Sequence, residues 1–292
     1  MSLPAYLKIF SLEGKNAVIT GAASEIGIGA AVAMGLASAG ANVILADCVP
    51  SEEVAKNIRE RTGREAISVI CDVRSQESVD DMIGAAADAF KHIDILVNNA
   101  ATSTTDYVRT FDMDMDDYWG RIIDVNLTGG ARCTRAVTRH MMDNGIEGSV
   151  IFTSSVQGLR PLGAMGGHAY DASKAGVISF AKGCALEFAD WKIRFNAVCP
   201  GLIETNLTEI WWRDRDSFKK TVHEIVPMGK AGAPEDVVGT YVYLASDASK
   251  YTTGAVIAVD GGLSGSVVYS RDMYRGGDPV LEKYYRTPTG EE

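Results

Sequence analysis

Paired cysteines are missing from this chain. Cys48, Cys71, Cys133, Cys184 and Cys199 are scattered, with no C-x-x-C among them. That spacing argues against a disulfide framework or a zinc site and predicts buried, reduced thiols in a cytoplasmic protein. Histidine is scarce too, at four residues; His140 and His223 fall outside every motif and are expected at the surface. Basic residues are outnumbered, 28 Lys and Arg against 38 Asp and Glu, for a net charge of -10. A nucleic-acid binder needs a basic face, and an anionic membrane attracts basic segments, so neither partner is expected. One uncharged stretch, Ile26 to Ala46, has the length of a membrane span. Gly27, Gly29, Gly35 and Gly40 interrupt it, with polar Ser38 and Asn42, and divide it into loop, helix, turn and strand. Met1 to Gly14 lacks the basic-then-apolar pattern of a signal peptide. There is no internal repeat, low-complexity tract or linker, so residues 1–292 are expected to form one domain.

What is present is an alternation. Short apolar runs at Asn16–Thr20, Asn42–Ala46, Ala66–Cys71, Ile95–Asn98, Ser149–Thr153, Arg194–Val198 and Val256–Val259 read as buried strands. Helical segments separate them: Ala30–Ala39, a helix after Ser51 with Glu52 and Glu53 in its first turn, Ser75–Lys91, Asp116–Met142, Ala169–Ala189 and Pro234–Ala245. Ser51 is placed to cap its helix, and Gly40 to end the first one. Strands alternating with helices predict an α/β fold, a doubly wound, Rossmann-like parallel sheet in three αβα layers. In such sheets ligands bind beyond the carboxyl ends of the strands. The unusual residues collect there: glycines after the first strand, Asp47 after the second, Asp72-Val73 after the third, Asn98-Asn99-Ala100 after the fourth, Ser154-Ser155 after the fifth and Pro200-Gly201 after the sixth.

Tyr170 and Lys174 stand four residues apart at the start of a helix, so they share a face. A free phenol titrates near ~10, too high for a base at neutral pH. A cation within about 4–6 Å favours the phenolate.

Taken in order, Thr20-Gly21…Gly27-Ile28-Gly29, Asp72-Val73, Asn98-Asn99-Ala100, Val125-Asn126, Ser154-Ser155, Tyr170…Lys174 and Pro200-Gly201…Thr205, with Asp260-Gly261-Gly262 closing the last strand, resemble the short-chain dehydrogenase/reductase family. The resemblance covers about Leu12 to Gly262. It departs from the family at two points. Glu25 would fall on a loop glycine, so the loop is read as two residues longer, with Gly21, Gly27 and Gly29 in the glycine roles and Glu25 turned to water. Ala101 replaces a usual glycine.

The resemblance implies a dinucleotide cofactor held by Gly21, Ser24, Gly27, Ile28, Gly29, Asp72, Val73, Asn99, Tyr170, Lys174, Ile203 and Thr205. Asp47 would accept hydrogen bonds from the adenosine ribose and repel a 2′-phosphate. No arginine or lysine sits beside it in sequence, so NAD is expected over NADP. Tyr170 would be the general acid/base, Lys174 would lower its pKa, Ser155 would orient the substrate oxygen and Asn126 would hold a linking water. Ser154 is expected to be a buried structural hydroxyl. No metal is required.

Gln157, Arg160 and His168, with Thr102 and Ser103, are expected around the substrate, which points to a sugar, polyol or cyclic secondary alcohol or its ketone. Residues 206–227 would form a lid carrying Trp211 and Trp212. Residues 263–292, with Tyr269, Tyr274, Tyr284 and Tyr285, would extend over the site or a neighbouring subunit. The family is usually tetrameric. Two rival readings are an NADPH-linked reductase of carrier-bound 3-oxoacyl chains and a non-catalytic dinucleotide sensor.

Overall fold

The computed structural model describes residues 5–103, 110–161, 167–209 and 214–265. Seven strands form one parallel sheet: β1 (Asn16–Thr20), β2 (Asn42–Asp47), β3 (Ala66–Ile70), β4 (Ile95–Asn98), β5 (Ser149–Thr153), β6 (Arg194–Pro200) and β7 (Val256–Val259). Their order is β3-β2-β1-β4-β5-β6-β7, all in parallel register. The order reverses between β1 and β4, which opens a crevice at their carboxyl ends.

The helices are α1 (Ile28–Ser38), α2 (Glu52–Thr62), α3 (Gln76–Phe90), α4 (115–143), α5 (Val156–Leu159), α6 (His168–Glu187), α7 (Arg215–Ile225) and α8 (Glu235–Ala245). Because successive side chains on a strand point to opposite faces, β1 feeds two cores. Ala17 and Ile19 pack with Val32 and Leu36 of α1, Ile58 of α2 and Tyr241 and Leu244 of α8. Val18 packs on the other face with Met82 of α3, Val137 of α4, Phe152 of β5 and Val177 of α6. Both faces are covered, which is why β1, β4 and β5 are buried throughout and read as unbroken apolar runs.

The local rules mostly hold. Ser75 caps α3 by accepting from the Ser78 amide at 3.2 Å. Ser51 stands at the N-cap of α2, but its buried hydroxyl bonds nothing there. The expected single helix over 116–142 is present as α4, yet two of its turns, Met115–Gly120 and Asp124–Gly129, are π-helical. Neither α5 nor α7 is anticipated by the sequence. α5 lies inside the expected substrate loop, and α7 occupies the lid stretch, whose Trp211 and Trp212 fall outside the described residues, as do residues 266–292. His140 is half-buried rather than superficial; its Nε2 is shielded, and burial pushes the imidazole's pKa down. His223 is exposed. All five cysteines are free, four buried and Cys48 exposed. No helix of the described residues is long and apolar enough to cross a membrane.

Candidate active site

A cleft of about 640 Å³ lies at the carboxyl ends of β1–β6. Its floor is a clasp between β1 and β4. The Thr20 hydroxyl accepts from the amides of Asn99 and Ala100, each at 3.0 Å. The Asn99 side-chain amide donates back to the carbonyls of Thr20 at 3.1 Å and Gly21 at 2.9 Å. Gly21 turns the chain at φ +69°, where a Cβ would sit 2.7 Å from Ala100 Cα. At Gly29 a Cβ would be 2.2 Å from the Gly21 carbonyl oxygen. Both positions therefore need glycine.

Gly27 is the N-cap of α1, and the helix begins at Ile28, one residue before Gly29. First-turn amides of a helix lack intrahelical partners and favour anions. Gly21, Ser24, Gly27 and Ile28 line the cleft. Gly29 lies beneath it, and Glu25 is exposed. The buried Ser24 hydroxyl has no partner among the described residues. A glycine cradle, free amides and an orphan hydroxyl fit a dinucleotide's pyrophosphate.

Asp47 lines the next part of the wall, where its carboxylate accepts from the Ala23 amide at 2.9 Å. Asp72 and Val73 follow from β3. Arg74, unmarked by any motif, lines the cleft with them and grips Asp72 through Nε and Nη2. That contact holds the Asp72 carboxyl below the usual carboxylate range. No arginine or lysine sits beside Asp47 along the chain, yet Arg74 lines the same cleft. Arg132 of α4 binds Asp124 at 2.8 Å and the Val73 carbonyl at 3.4 Å, tying the β3 loop to the π-helical turn.

At the far end Ser155, Tyr170 and Lys174 meet. Ser155 follows β5, N-caps α5 by accepting from the Gln157 amide at 3.1 Å, and hydrogen-bonds the Tyr170 phenol. Ser154 also borders the cleft, but it is buried and its hydroxyl donates to the Lys174 carbonyl at 2.8 Å, as a structural hydroxyl would. The Lys174 ammonium donates to the Thr153 carbonyl at 2.8 Å and lies 5.5 Å from the Tyr170 ring centroid. Tyr170 is half-buried as a residue, because the cleft reaches its ring, but its oxygen is desolvated. Burial pushes the phenol up to about 12, against the lowering expected from Lys174. The same burial pushes Lys174 down to about 8. The ammonium is directed at a carbonyl, not at the phenol oxygen, so desolvation dominates both groups.

Asn126 is buried in the π-helical turn and does not line the cleft. Its amide accepts from the Thr102 N–H at 2.8 Å and donates to the Thr102 carbonyl at 3.0 Å and the Ser173 hydroxyl at 3.1 Å. Ile203 and Thr205 line the wall after β6, joined by Asn206, Leu207 and Thr208. Gln157, Arg160 and His168 do not line it: Gln157 donates to Asp171 at 2.7 Å, and Arg160 and His168 act electrostatically on Asp260 and Asp171. Thr102 and Arg121 line the cleft instead; Arg121 carries no sequence signal beyond its position one turn before Val125.

A reversed strand order with a cleft beyond the strand ends defines the doubly wound, nucleotide-binding class of α/β proteins. A family model described as enoyl-(acyl carrier protein) reductase matches residues 21–264. A 3β-hydroxysteroid dehydrogenase from Eggerthella lenta is 39% identical over 256 residues, 87% of this chain and 95% of its own. A 3-oxoacyl-[acyl-carrier-protein] reductase from Synechocystis is 38% identical over 263 residues, 87% of this chain and 98% of its own. The crystal structure of a gluconate 5-dehydrogenase from Burkholderia cenocepacia, in complex with NADP and tartrate, superposes with a TM-score of 0.81 at 33% identity, covering 90% of this chain and 100% of that one. The chain belongs to the short-chain dehydrogenase/reductase family and is an oxidoreductase of that type. The family uses nicotinamide dinucleotides.

Proposed function

We propose that this protein is an NAD-linked oxidoreductase acting on a secondary alcohol, or the corresponding ketone, of a sugar, polyol or cyclic alcohol. The observation that carries the reading is the convergence of Ser155, Tyr170 and Lys174 on the cleft that also holds the glycine cradle and Asp47. Gly21, Ser24, Gly27 and Gly29 would hold the pyrophosphate, and the Ile28 amide would meet the nicotinamide side. Asp47 would hold the adenosine ribose, and Asp72, Val73, Asn99, Ile203 and Thr205 the rest of the dinucleotide. The nicotinamide, when bound, supplies the hydride acceptor or donor.

The chain's own residues handle the proton. Ser155 orients the substrate oxygen, and Tyr170 exchanges the proton with it. Lys174 places a cation beside them from a position fixed by the Thr153 carbonyl. Asn126 sets the Thr102 backbone at the edge of the cleft. Thr102, Arg121, Asn206 and Thr208 are polar members of the lining, beside apolar Ala101, Val125 and Leu207, and would hydrogen-bond a hydroxylated substrate. Gln157, Arg160 and His168 would act from behind that wall.

Tyr170→Phe is expected to abolish turnover while NADH still binds, measured by dehydrogenase assay and by nicotinamide fluorescence. Full activity in that variant would overturn the reading. A wild-type screen over sugars, polyols, cyclic alcohols and steroids tests the substrate class; turnover of an apolar steroid alone would remove it. The runner-up is an NADPH-linked reductase of carrier-bound 3-oxoacyl chains, a reading favoured by the Synechocystis relative. Comparing turnover with NAD and NADP separates the two. We also propose that the chain is cytoplasmic, forms one domain with a lid over 206–227 and assembles as a homotetramer.

A further inference from the structure

Asp47 is one half of the adenosine end of the cleft; the other half comes from β3. The Cys71 amide donates to the Asp47 carbonyl at 2.8 Å, so the ends of β2 and β3 are joined. Arg74 comes three residues beyond that bond and lines the same wall as Asp47, Cys48 and Asp72. Its guanidinium is latched on Asp72: Nε reaches the two carboxylate oxygens at 3.0 and 3.1 Å, Nη2 reaches one of them at 2.7 Å, and the Arg74 amide adds a bond of 2.9 Å. The Arg74 and Asp72 side chains are 51% and 38% exposed. An ion pair so open to water is worth little and opens at small cost. Arg74 also lies within electrostatic range of Cys48, the residue after Asp47.

We propose that Arg74 is a specificity-determining residue of this cleft. It exchanges Asp72 for the 2′-phosphate of NADP, so the preference for NAD set by Asp47 is partial. A phosphate dianion is a stronger bidentate partner for a guanidinium than a carboxylate is. Asp47 repels that phosphate and Arg74 attracts it, and the balance between them sets the ratio of the two affinities. This rests on the proposed dinucleotide-linked function.

The test is equilibrium binding of NADH and NADPH, followed by nicotinamide fluorescence, in the wild type and in Arg74→Ala, Arg74→Lys and Asp72→Asn. Removing one charge-assisted contact predicts that Arg74→Ala weakens NADPH about tenfold or more and NADH less than about threefold. Arg74→Lys keeps the charge but not the fork, and is expected to fall between. Asp72→Asn releases the guanidinium and is expected to shift the ratio toward NADPH. The salt dependence of NADPH binding should weaken in Arg74→Ala. Equal losses for the two dinucleotides in Arg74→Ala, or a wild type that binds NADH and no NADPH, would overturn this inference and leave the parent function standing. A wild type that binds neither dinucleotide would overturn both.

Discussion

Lys174 is a buried cation with one carbonyl acceptor, 2% exposed, and its placement has a cost that can be measured. A fall from the ordinary lysine range to about 8 corresponds to about 3 kcal/mol at neutral pH. Below about 8 the group is charged in the folded and unfolded chain alike, and the penalty is carried in full. As pH rises from about 8 toward the ordinary lysine value, the folded protein has lost the proton and the unfolded chain has not, so the penalty is relieved. Lys174→Met is therefore expected to be inactive yet to melt above the wild type at pH 7, with a margin that narrows between about pH 8 and 10. Thermal unfolding across that range checks it; a variant less stable than wild type at pH 7 would contradict the assignment. Tyr170 titrates in the opposite sense. Its phenol, pushed up to about 12, stays protonated in the fold after free tyrosines ionise, so it withdraws stability as pH climbs past ~10. Behind Lys174 stands Tyr241, whose buried hydroxyl is bonded to the Thr153 hydroxyl at 2.7 Å. Tyr241→Phe leaves that hydroxyl short of a partner and should cost about 1–3 kcal/mol in denaturant unfolding.

At the scale of elements, the β1–α1 turn is set by two close approaches. A methyl group at Gly29 would sit 2.2 Å from the Gly21 carbonyl oxygen, so Gly29→Ala must push α1 off β1. It is expected to lower the melting temperature and to weaken NADH binding together, since the same turn presents the Ile28 amide. This turn was legible in the sequence because backbone sterics demand glycine there, and the exposed Glu25 marks the longer loop. α4 was legible only in part. Its extent is as expected, but the clamp of Asn126 on Thr102 joins it to a loop 24 residues earlier in the chain. α5 was not legible: four residues, Val156–Leu159, carry too little periodicity to announce a helix, and neither Gln157 within it nor Arg160 at its end lines the cleft.

For the whole molecule, the proposed tetramer is tested by sedimentation equilibrium; a strict monomer would contradict it. The layered sheet was readable throughout, because strands buried on both faces must be continuously apolar and each connecting helix must cover them. Partners across the cleft were harder to read. Arg74 reaches Asp72 two residues back in its own loop, but it comes near Cys48 only because β2 and β3 are neighbours, a relation that no local spacing records.

The sequence by itself determined the alternation of strands and helices, the six groups at the strand ends, and the placing of Tyr170 and Lys174 on one helical face, because each follows from rules acting over a few residues. Only the tertiary structure decided how those groups are charged and which cations share their cleft. Desolvation and contacts between distant strands depend on what the whole chain packs around a side chain, and that packing raised the phenol, lowered the ammonium and put Arg74 in one cleft with Asp47.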